Sequence, residues 1–245
     1  MTKQKFFFQL LAIVFVFFIL LFWIIKENNS LALMRRQETN LKASKNLPNA
    51  IIIGSAKCGT GTLLEFISAH PDVRVAPREE LQYFDIYYHL GIEWYRNQMP
   101  YSTRSQMTLE KTADYFKNEQ VPERVHKLNP NMKLIVVVRD PVIRAVSHYI
   151  HMKTEVWSQI VNDTKHSNKS DSNMFAEMIF TFDDNNNNNM RKIDSNMATV
   201  FQGLYYRHVQ NWLEYFPLKQ ILFLNGERFR FDPSKKIEKL QLFLN

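Results

Sequence analysis

The sequence predicts an α/β fold of the P-loop-like, three-layer kind, with a central parallel sheet between helices, preceded by one N-terminal transmembrane helix. Three observations carry this expectation. The apolar run "AIII", Ala50 to Ile53, opens directly into a glycine-bearing turn and then a helix-like segment. "LIVVV", Leu134 to Val138, is continuously apolar and largely β-branched, as a parallel strand covered on both faces requires. Phe6 to Ile25, interrupted only by Gln9, is long enough at ~1.5 Å per residue to cross roughly 30 Å of hydrocarbon.

The N-terminal run exceeds the apolar core of a cleaved signal peptide, about 7–15 residues, and lacks a good small-residue cleavage site. Residues 1–5 are therefore expected as a cytoplasmic tail, 6–25 as a retained signal anchor and 26–48 as a polar stem ending at Pro48. Residues 49–245 form the single folded domain, which lies on the lumenal side. The net charge of +7 does not name a polyanionic partner. Seven Lys/Arg and only two Glu fall within residues 1–45, which leaves 24 basic against 22 acidic residues in 46–245. That near-balance gives no footing for nucleic acid, and the basic excess suits membrane headgroups equally well. The single cysteine, Cys58, excludes an intramolecular disulfide in this chain. Asn-X-Ser/Thr tripeptides at Asn28, Asn162 and Asn168 fit a lumenal glycoprotein.

Within the domain, Leu63, Leu64 and Ile67 give the helix after the first strand an apolar stripe. "VRV" at Val73 to Val75 and "MTLEK" at Met107 to Lys111 are short strands. After Leu134 to Val138, Asp140 is placed to cap a helix that has Pro141 in its first turn. Val209, Trp212, Leu213 and Phe216 mark a late helix stopped by Pro217. "ILFL" at Ile221 to Leu224 is a last strand, and Ile237, Leu240 and Leu244 line a final helix. Residues 154–196, with "DDNNNNN" at Asp183 to Asn189, are expected as an irregular, variable insert, since polyasparagine has nothing to bury.

Four stretches carry candidate chemistry. Gly54 and Gly59 keep the spacing of a phosphate loop, but the lysine sits inside the turn as Lys57 and Thr60 follows directly. Bare N–H groups, a helix N-terminus and a cation suit a phosphate or sulfate ester; the alternative is a turn needing glycine only for its backbone angles. Arg139 emerges where a central strand ends, and Ser147 lies two turns into the next helix, so together they can clamp a phosphate. Their alternative is an Arg139–Asp140 surface pair with an exposed serine. In "PREELQYFD", Glu79 or Glu80 precedes Tyr83 and Phe84, and a carboxylate in a partly apolar wall makes a better base; two solvated glutamates are the plain reading. Lys111, beside Thr112 and Asp114, is either a site cation or an ion-paired surface lysine. His148 and His151, three apart, are read as solvated and not as metal ligands, because no third ligand accompanies them.

"IIIGSAKCGTGTLLEFISAHPDV", "FDIYYHLGIEWYRNQMPYS", "LEKTADYF", "VVVRDPVIRAVSHY" and "NWLEYFPLKQILFLNGERF" occur in that order. Together they resemble the Golgi heparan sulfate glucosamine 3-O-sulfotransferases, relatives of the N-sulfotransferase domains. The resemblance runs from about Pro48 to Asn245 and is weakest across the asparagine-rich insert. It implies a type II Golgi membrane enzyme that moves a sulfuryl group from 3′-phosphoadenosine 5′-phosphosulfate to the 3-OH of glucosamine in heparan sulfate, without a metal. By the same resemblance, Lys57, Cys58, Gly59, Thr60 and Gly61 form the 5′-phosphosulfate loop, and Arg139 with Ser147 hold the 3′-phosphate. Glu80 matches the base, with Lys57 and Lys111 as catalytic cations. Gln82, Tyr83, Asp85, Thr112 and Asp114 join Glu80 and Lys111 on the acceptor side.

The chain departs from the family pattern at three places. Gln82 stands where the 3-O enzymes carry histidine and is reminiscent of the N-sulfotransferases. Gly61 stands where an arginine is usual. The chain also stops at "LQLFLN", before the family's disulfide pair and basic Lys-Gly-Arg loop, so the domain is expected to be incomplete at its C-terminus. The rival expectations are N-sulfation of glucosamine and a non-catalytic polysaccharide- or nucleotide-binding module. A nucleotide-dependent phosphotransferase is disfavoured, because no Gly-Lys-Ser/Thr ending is present.

Overall fold

A computed structural model describes residues 20–28, 43–160, 175–176, 179–182, 191–195 and 197–244. The chain divides into two compact units, Met1–Ser44 and Lys45–Asn245. In the first, 20–28 are helical, and the remainder of the predicted anchor, 6–19, lies outside the described residues. Among the described residues no helix is long and apolar enough to cross a membrane.

The second unit is built on five parallel strands: β1 (Ala50–Gly54), β2 (Val73–Val75), β3 (Met107–Lys111), β4 (Lys133–Val138) and β5 (Ile221–Asn225). Their spatial order is β2-β3-β1-β4-β5. Ala50 pairs with Leu109 on one side and Lys133 on the other, which makes β1 the centre of the sheet. Strand order reverses about β1, and α/β sheets bind ligands beyond the carboxyl ends of strands at such a switch point. The register along β4 slips between Ile52 and Gly54, where β1 gives way to the glycine turn.

Alternation along each strand decides which layer a side chain joins. Ile51, Ile53, Leu134 and Val136 pack with Phe84, Tyr95, Phe116, Trp212 and Phe216 on one face. Ala50, Ile52, Ile135 and Val137 pack with Leu63, Ile67, Phe229 and Leu240 on the other. The covering helices are α1 (Thr60–Ser68), α2 (Gly91–Gln98), α3 (Val121–Leu128), α4 (Pro141–Ile160), α5 (Tyr205–Leu213) and α6 (Pro233–Leu244). Asp140 caps α4 as expected, its Oδ1 accepting from the N–H of Val142 at 2.8 Å and of Ile143 at 3.0 Å.

Two expectations are corrected here. α5 ends at Leu213, which is 42% exposed, so the buried stripe is His208, Trp212 and then Phe216 in the following turn. The turn closes early because Phe216 and Tyr215 donate their N–H groups to Trp212 O, short of Pro217. The stretch 154–196 is also not irregular throughout. α4 continues to Ile160, and Phe180–Phe182 pairs antiparallel with Arg191–Ile193. Alternating Phe180 and Phe182 supply the β-prone, two-faced pattern that composition averaging conceals. The asparagine run itself, with Asn162 and Asn168, lies outside the described residues.

Candidate active site

β1 delivers the chain into the loop through Gly54, where a side chain is impossible. A Cβ there would stand 2.5 Å from Phe116 Cβ and 2.9 Å from Ala113 O. The loop then folds on itself, Ser55 N donating to Val137 O at 2.9 Å and Cys58 N to Ser55 O at 3.1 Å. Lys57 takes a left-handed conformation (φ 66°), and so does Gly59 (φ 98°), just before α1. No side chain caps α1. Its first N–H groups have no intrahelical acceptor and face a positive dipole end, which together favour an anion. Gly226, at the end of β5, closes against the loop from the other side; a Cβ on it would collide with the Cys58 carbonyl.

Arg139 follows β4 and reaches the same loop, Nη1 donating to Lys57 O at 3.2 Å. Its Nε is buried and has no partner. Asp140 is occupied as the α4 cap, so the Arg139–Asp140 surface pair gives way to a guanidinium turned toward the loop. Lys57, Arg139, Ser147 and His151 line a groove of about 440 Å³ whose floor is Ile143, Val146 and Ile150 of α4. The buried Thr60 and Gly61 begin α1, directly after the loop. Cys58 has its side chain inside, 2% exposed, with Sγ 3.4 Å from the Tyr205 hydroxyl. Burial pushes its thiol pKa up, so only its backbone can serve a ligand.

The residues expected on the acceptor side gather about the end of β3. Lys111 Nζ lies 2.6 Å from Glu80 Oε1 and 2.7 Å from Glu79 Oε2. Burial pulls the ammonium pKa down and the two carboxylates more than offset it, leaving it raised. Glu80 Oε2 accepts the Ala113 N–H at 2.8 Å, and Glu80 N donates to Lys111 O at 2.9 Å. Glu80 (φ 52°) and Gln82 (φ 54°) are left-handed. With Lys57 they are the three non-glycine residues of positive φ among those described. Such backbone strain costs ~1–3 kcal/mol each and concentrates at functional sites.

Several expectations change at this point. Glu80 is held by a lysine and a backbone N–H, not by an apolar wall. Tyr83 does not present itself to an acceptor: it is 3% exposed and its ring stacks on Tyr95 at 4.2 Å. Thr112, fully buried, is likewise committed inward, to Glu110. Asp85 is half-buried, accepts the Ile86 N–H at 2.8 Å and has its pKa raised by burial. Asp114 pairs with Lys117 at 3.0 Å. His148 is not solvated. Burial, then the charges of Arg144 and Lys117, lower its pKa to about 4, and its Nδ1 is a buried orphan. Among the described residues no cluster of His, Cys, Asp or Glu could hold a metal.

Two buried residues escaped the sequence reading. Arg144 is fully buried on α4, donating to Thr199 O and to Gln202 Oε1 at 3.1 Å. Glu110 is fully buried on β3 beside Lys111. Charged side chains within β-branched or apolar strands and helices are the signal that would have flagged both. A larger cleft of about 1030 Å³ opens at the opposite edge of the sheet, near Asn49, Val73, Met107 and Lys133 at the strand starts. It is far from the glycine loop in the topology and contains none of the residues gathered above.

This combination of a 2-3-1-4-5 parallel sheet, an uncapped helix after a glycine turn and an arginine across the switch point defines a class. The sulfotransferase domain family model matches residues 47–245, and the chain belongs to that family. It is 41% identical over 201 residues to heparan sulfate glucosamine 3-O-sulfotransferase 3B1 of Mus musculus, covering 82% of this chain and 47% of that protein. It is 39% identical over 203 residues to the 3A1 protein of Homo sapiens, 83% of this chain and 45% of that one. It is also 39% identical over 200 residues to protein 6 of Mus musculus, at 82% and 53%. The chain thus spans about half the length of the curated relatives it matches. A sulfotransferase from Alicyclobacillus acidocaldarius shares the fold, with a TM-score of 0.59 at 22% identity over 81% of each chain.

Proposed function

We propose that this domain transfers a sulfuryl group from 3′-phosphoadenosine 5′-phosphosulfate to the 3-OH of a glucosamine residue in heparan sulfate. The observation that carries it is that two half-sites stand at the ends of the neighbouring strands β1 and β3, where a Cβ on Gly61 would lie 4.0 Å from Glu79 Oε2. One is an anion cradle, the other a carboxylate–lysine pair, in a chain about 40% identical to proteins named for that reaction.

The residues fit a doubly phosphorylated nucleotide. The uncapped α1 terminus and Lys57 offer N–H donors and a cation, while the orphaned Arg139 Nε and the Ser147 hydroxyl offer a second anion site. When bound, that nucleotide supplies the activated sulfuryl group. Lys57, within the turn, neutralises charge that develops on a leaving phosphate oxygen. Glu80 accepts the proton of the attacking sugar hydroxyl, held in place by Lys111 and the Ala113 N–H. Lys111 sets its positive charge 2.6 Å from the carboxylate and so fixes its orientation. The family resemblance supports a Golgi membrane location with the domain lumenal and the N-terminal apolar run as anchor.

Gln82 favours a second reading, transfer to a glucosamine nitrogen, because it cannot titrate where the 3-O enzymes place a histidine. The test uses the full chain with radiolabelled donor and either N-sulfated or N-desulfated heparan sulfate, followed by disaccharide analysis. Label on the 3-position is the expected result. Label on nitrogen replaces the 3-O reading, and saturable acceptor binding without incorporation reduces the protein to a binding module.

A further inference from the structure

A carboxylate that the chemistry above does not touch sits directly behind the base. Glu110 is 0% exposed, and its Oε1 accepts the Tyr95 hydroxyl at 2.8 Å while Oε2 accepts the Thr112 hydroxyl at 3.2 Å. Each of its neighbours holds a different residue of the turn that carries Glu80. Thr112 Oγ1 accepts the Gln82 N–H at 3.3 Å. The Tyr95 ring stacks on Tyr83 at an interplanar angle of 8°. The Tyr115 hydroxyl accepts the Phe84 N–H at 3.2 Å. Three consecutive residues, Gln82 to Phe84, are thus pinned by groups that surround one buried acid, and the turn they complete is left-handed at Glu80 and Gln82.

We propose that Glu110 is a positioning residue: acting through Thr112, Tyr95 and Tyr115, it fixes the strained 80–84 turn and so the placement of the Glu80 carboxylate. The physical reason is acceptor capacity. A carboxyl group keeps acceptor lone pairs in either protonation state, so it can aim hydroxyl protons at itself and leave the hydroxyl oxygens free to receive N–H groups. A left-handed non-glycine residue persists only where its surroundings over-determine it. Burial pushes the Glu110 carboxyl up to about 7, with the Tyr95, Thr112 and Tyr115 hydroxyls pulling it back down, so the hydroxyls support its charged form. The charged group that acts on it is Glu80 on the turn, which raises it further.

The inference rests on the proposed function for its kinetic arm only; a second arm is independent of activity. In Glu110→Gln and in Thr112→Val, hydrogen exchange at the Gln82 amide is expected to quicken about tenfold or more, with Phe84 following in Glu110→Gln and the amides of β1 and β4 unchanged. In the same variants kcat falls about tenfold or more, because a displacement near 1 Å is costly, while the KM for donor and the binding of adenosine 3′,5′-bisphosphate stay within twofold. Thr112→Ser restores both, and the double variant is no worse than the poorer single one. Wild-type exchange at Gln82 in Glu110→Gln overturns the proposal, and so do additive losses in the double variant. If Glu110→Gln fails to fold, Thr112→Val with wild-type exchange and turnover overturns it. If the unaltered protein transfers no sulfuryl group, the functional reading fails and the exchange pattern alone decides.

Discussion

The two halves of the site are built on opposite terms. On the proposed donor side, donors are left open: α1 lacks a side-chain cap, Arg139 Nε is buried without a partner, and the groove is lined by an arginine and a lysine. On the acceptor side every named group is already engaged, Glu80 by Lys111 and Ala113, Thr112 by Glu110, Tyr95 by Glu110. A donor half left unsatisfied gains most when an anion arrives, since unpaired buried donors are costly. On the proposed reading, an acceptor half that is satisfied beforehand holds Glu80 in one geometry and loses little entropy when a sugar docks. The contrast assigns affinity to one side and turnover to the other.

The sharpest way to break that division is Glu80→Gln. Turnover is expected to fall by about 10²–10⁴-fold, the usual worth of a general base, with adenosine 3′,5′-bisphosphate binding by calorimetry within twofold of wild type. A matching loss of nucleotide affinity would merge the two halves into one. Next comes Arg139→Ala, which removes a charge-assisted donor worth ~1.5–3 kcal/mol, so nucleotide affinity should drop roughly 10- to 150-fold. Its acceptor KM should hardly move.

A smaller effect probes the wall behind the glycine loop. Gly226→Ala would drive a methyl group into the Cys58 carbonyl. Overpacking of this kind costs ~1–3 kcal/mol, visible as a lower thermal midpoint together with weakened nucleotide binding. Acceptor-side amide protection, at Gln82 and Phe84, should survive it.

The smallest effects are in the pH dependence of stability, and they carry opposite signs at Glu110 and His148. Glu110 is raised from 4.5 to about 7 in the folded protein. The native state therefore binds more protons than the unfolded chain between those values. Stability from this group is complete below pH 4.5 and is lost as pH rises through 7. His148 is lowered from 6.5 to about 4, so its contribution is complete above pH 6.5 and is lost as pH falls toward 4. Thermal midpoints measured from pH 4 to 8 should show Glu110→Gln removing the alkaline decline and His148→Gln removing the acidic one. A variant that leaves its slope in place would show that its parent group is not buried in the charge state assigned to it.

Strands and the donor loop were legible because each has a local cause. Ala50 to Ile53 and Leu134 to Val138 are apolar and branched over the length of a buried strand, and the turn between strand and helix carries glycine at the spacing an anion cradle needs. The acceptor side was legible only as residue types. "EELQYF" could not say that Tyr83 goes into the core while Glu80 stays half-open, because that choice depends on Tyr95, fifteen residues from Glu110, and on Thr112 from another strand end. Arg144 and Glu110 showed only as charges set in apolar segments, without the partners that hold them, for the same reason. A lone charge in a sequence reads as solvated until its partners, Thr199 and Gln202 or Tyr95 and Thr112, are brought from elsewhere.

By itself the sequence determined which segments are strands and helices, where the anion loop sits and which side chains are chemically able to act. Those are properties of neighbours along the chain: periodicity, capping and backbone freedom. Only the tertiary structure decided that Lys57 and Arg139 converge, that Lys111 answers two glutamates, and that a buried acid stands behind the base. Contacts of that kind join residues 31 and 82 positions apart, and no local rule of the chain encodes the sheet order that brings them together.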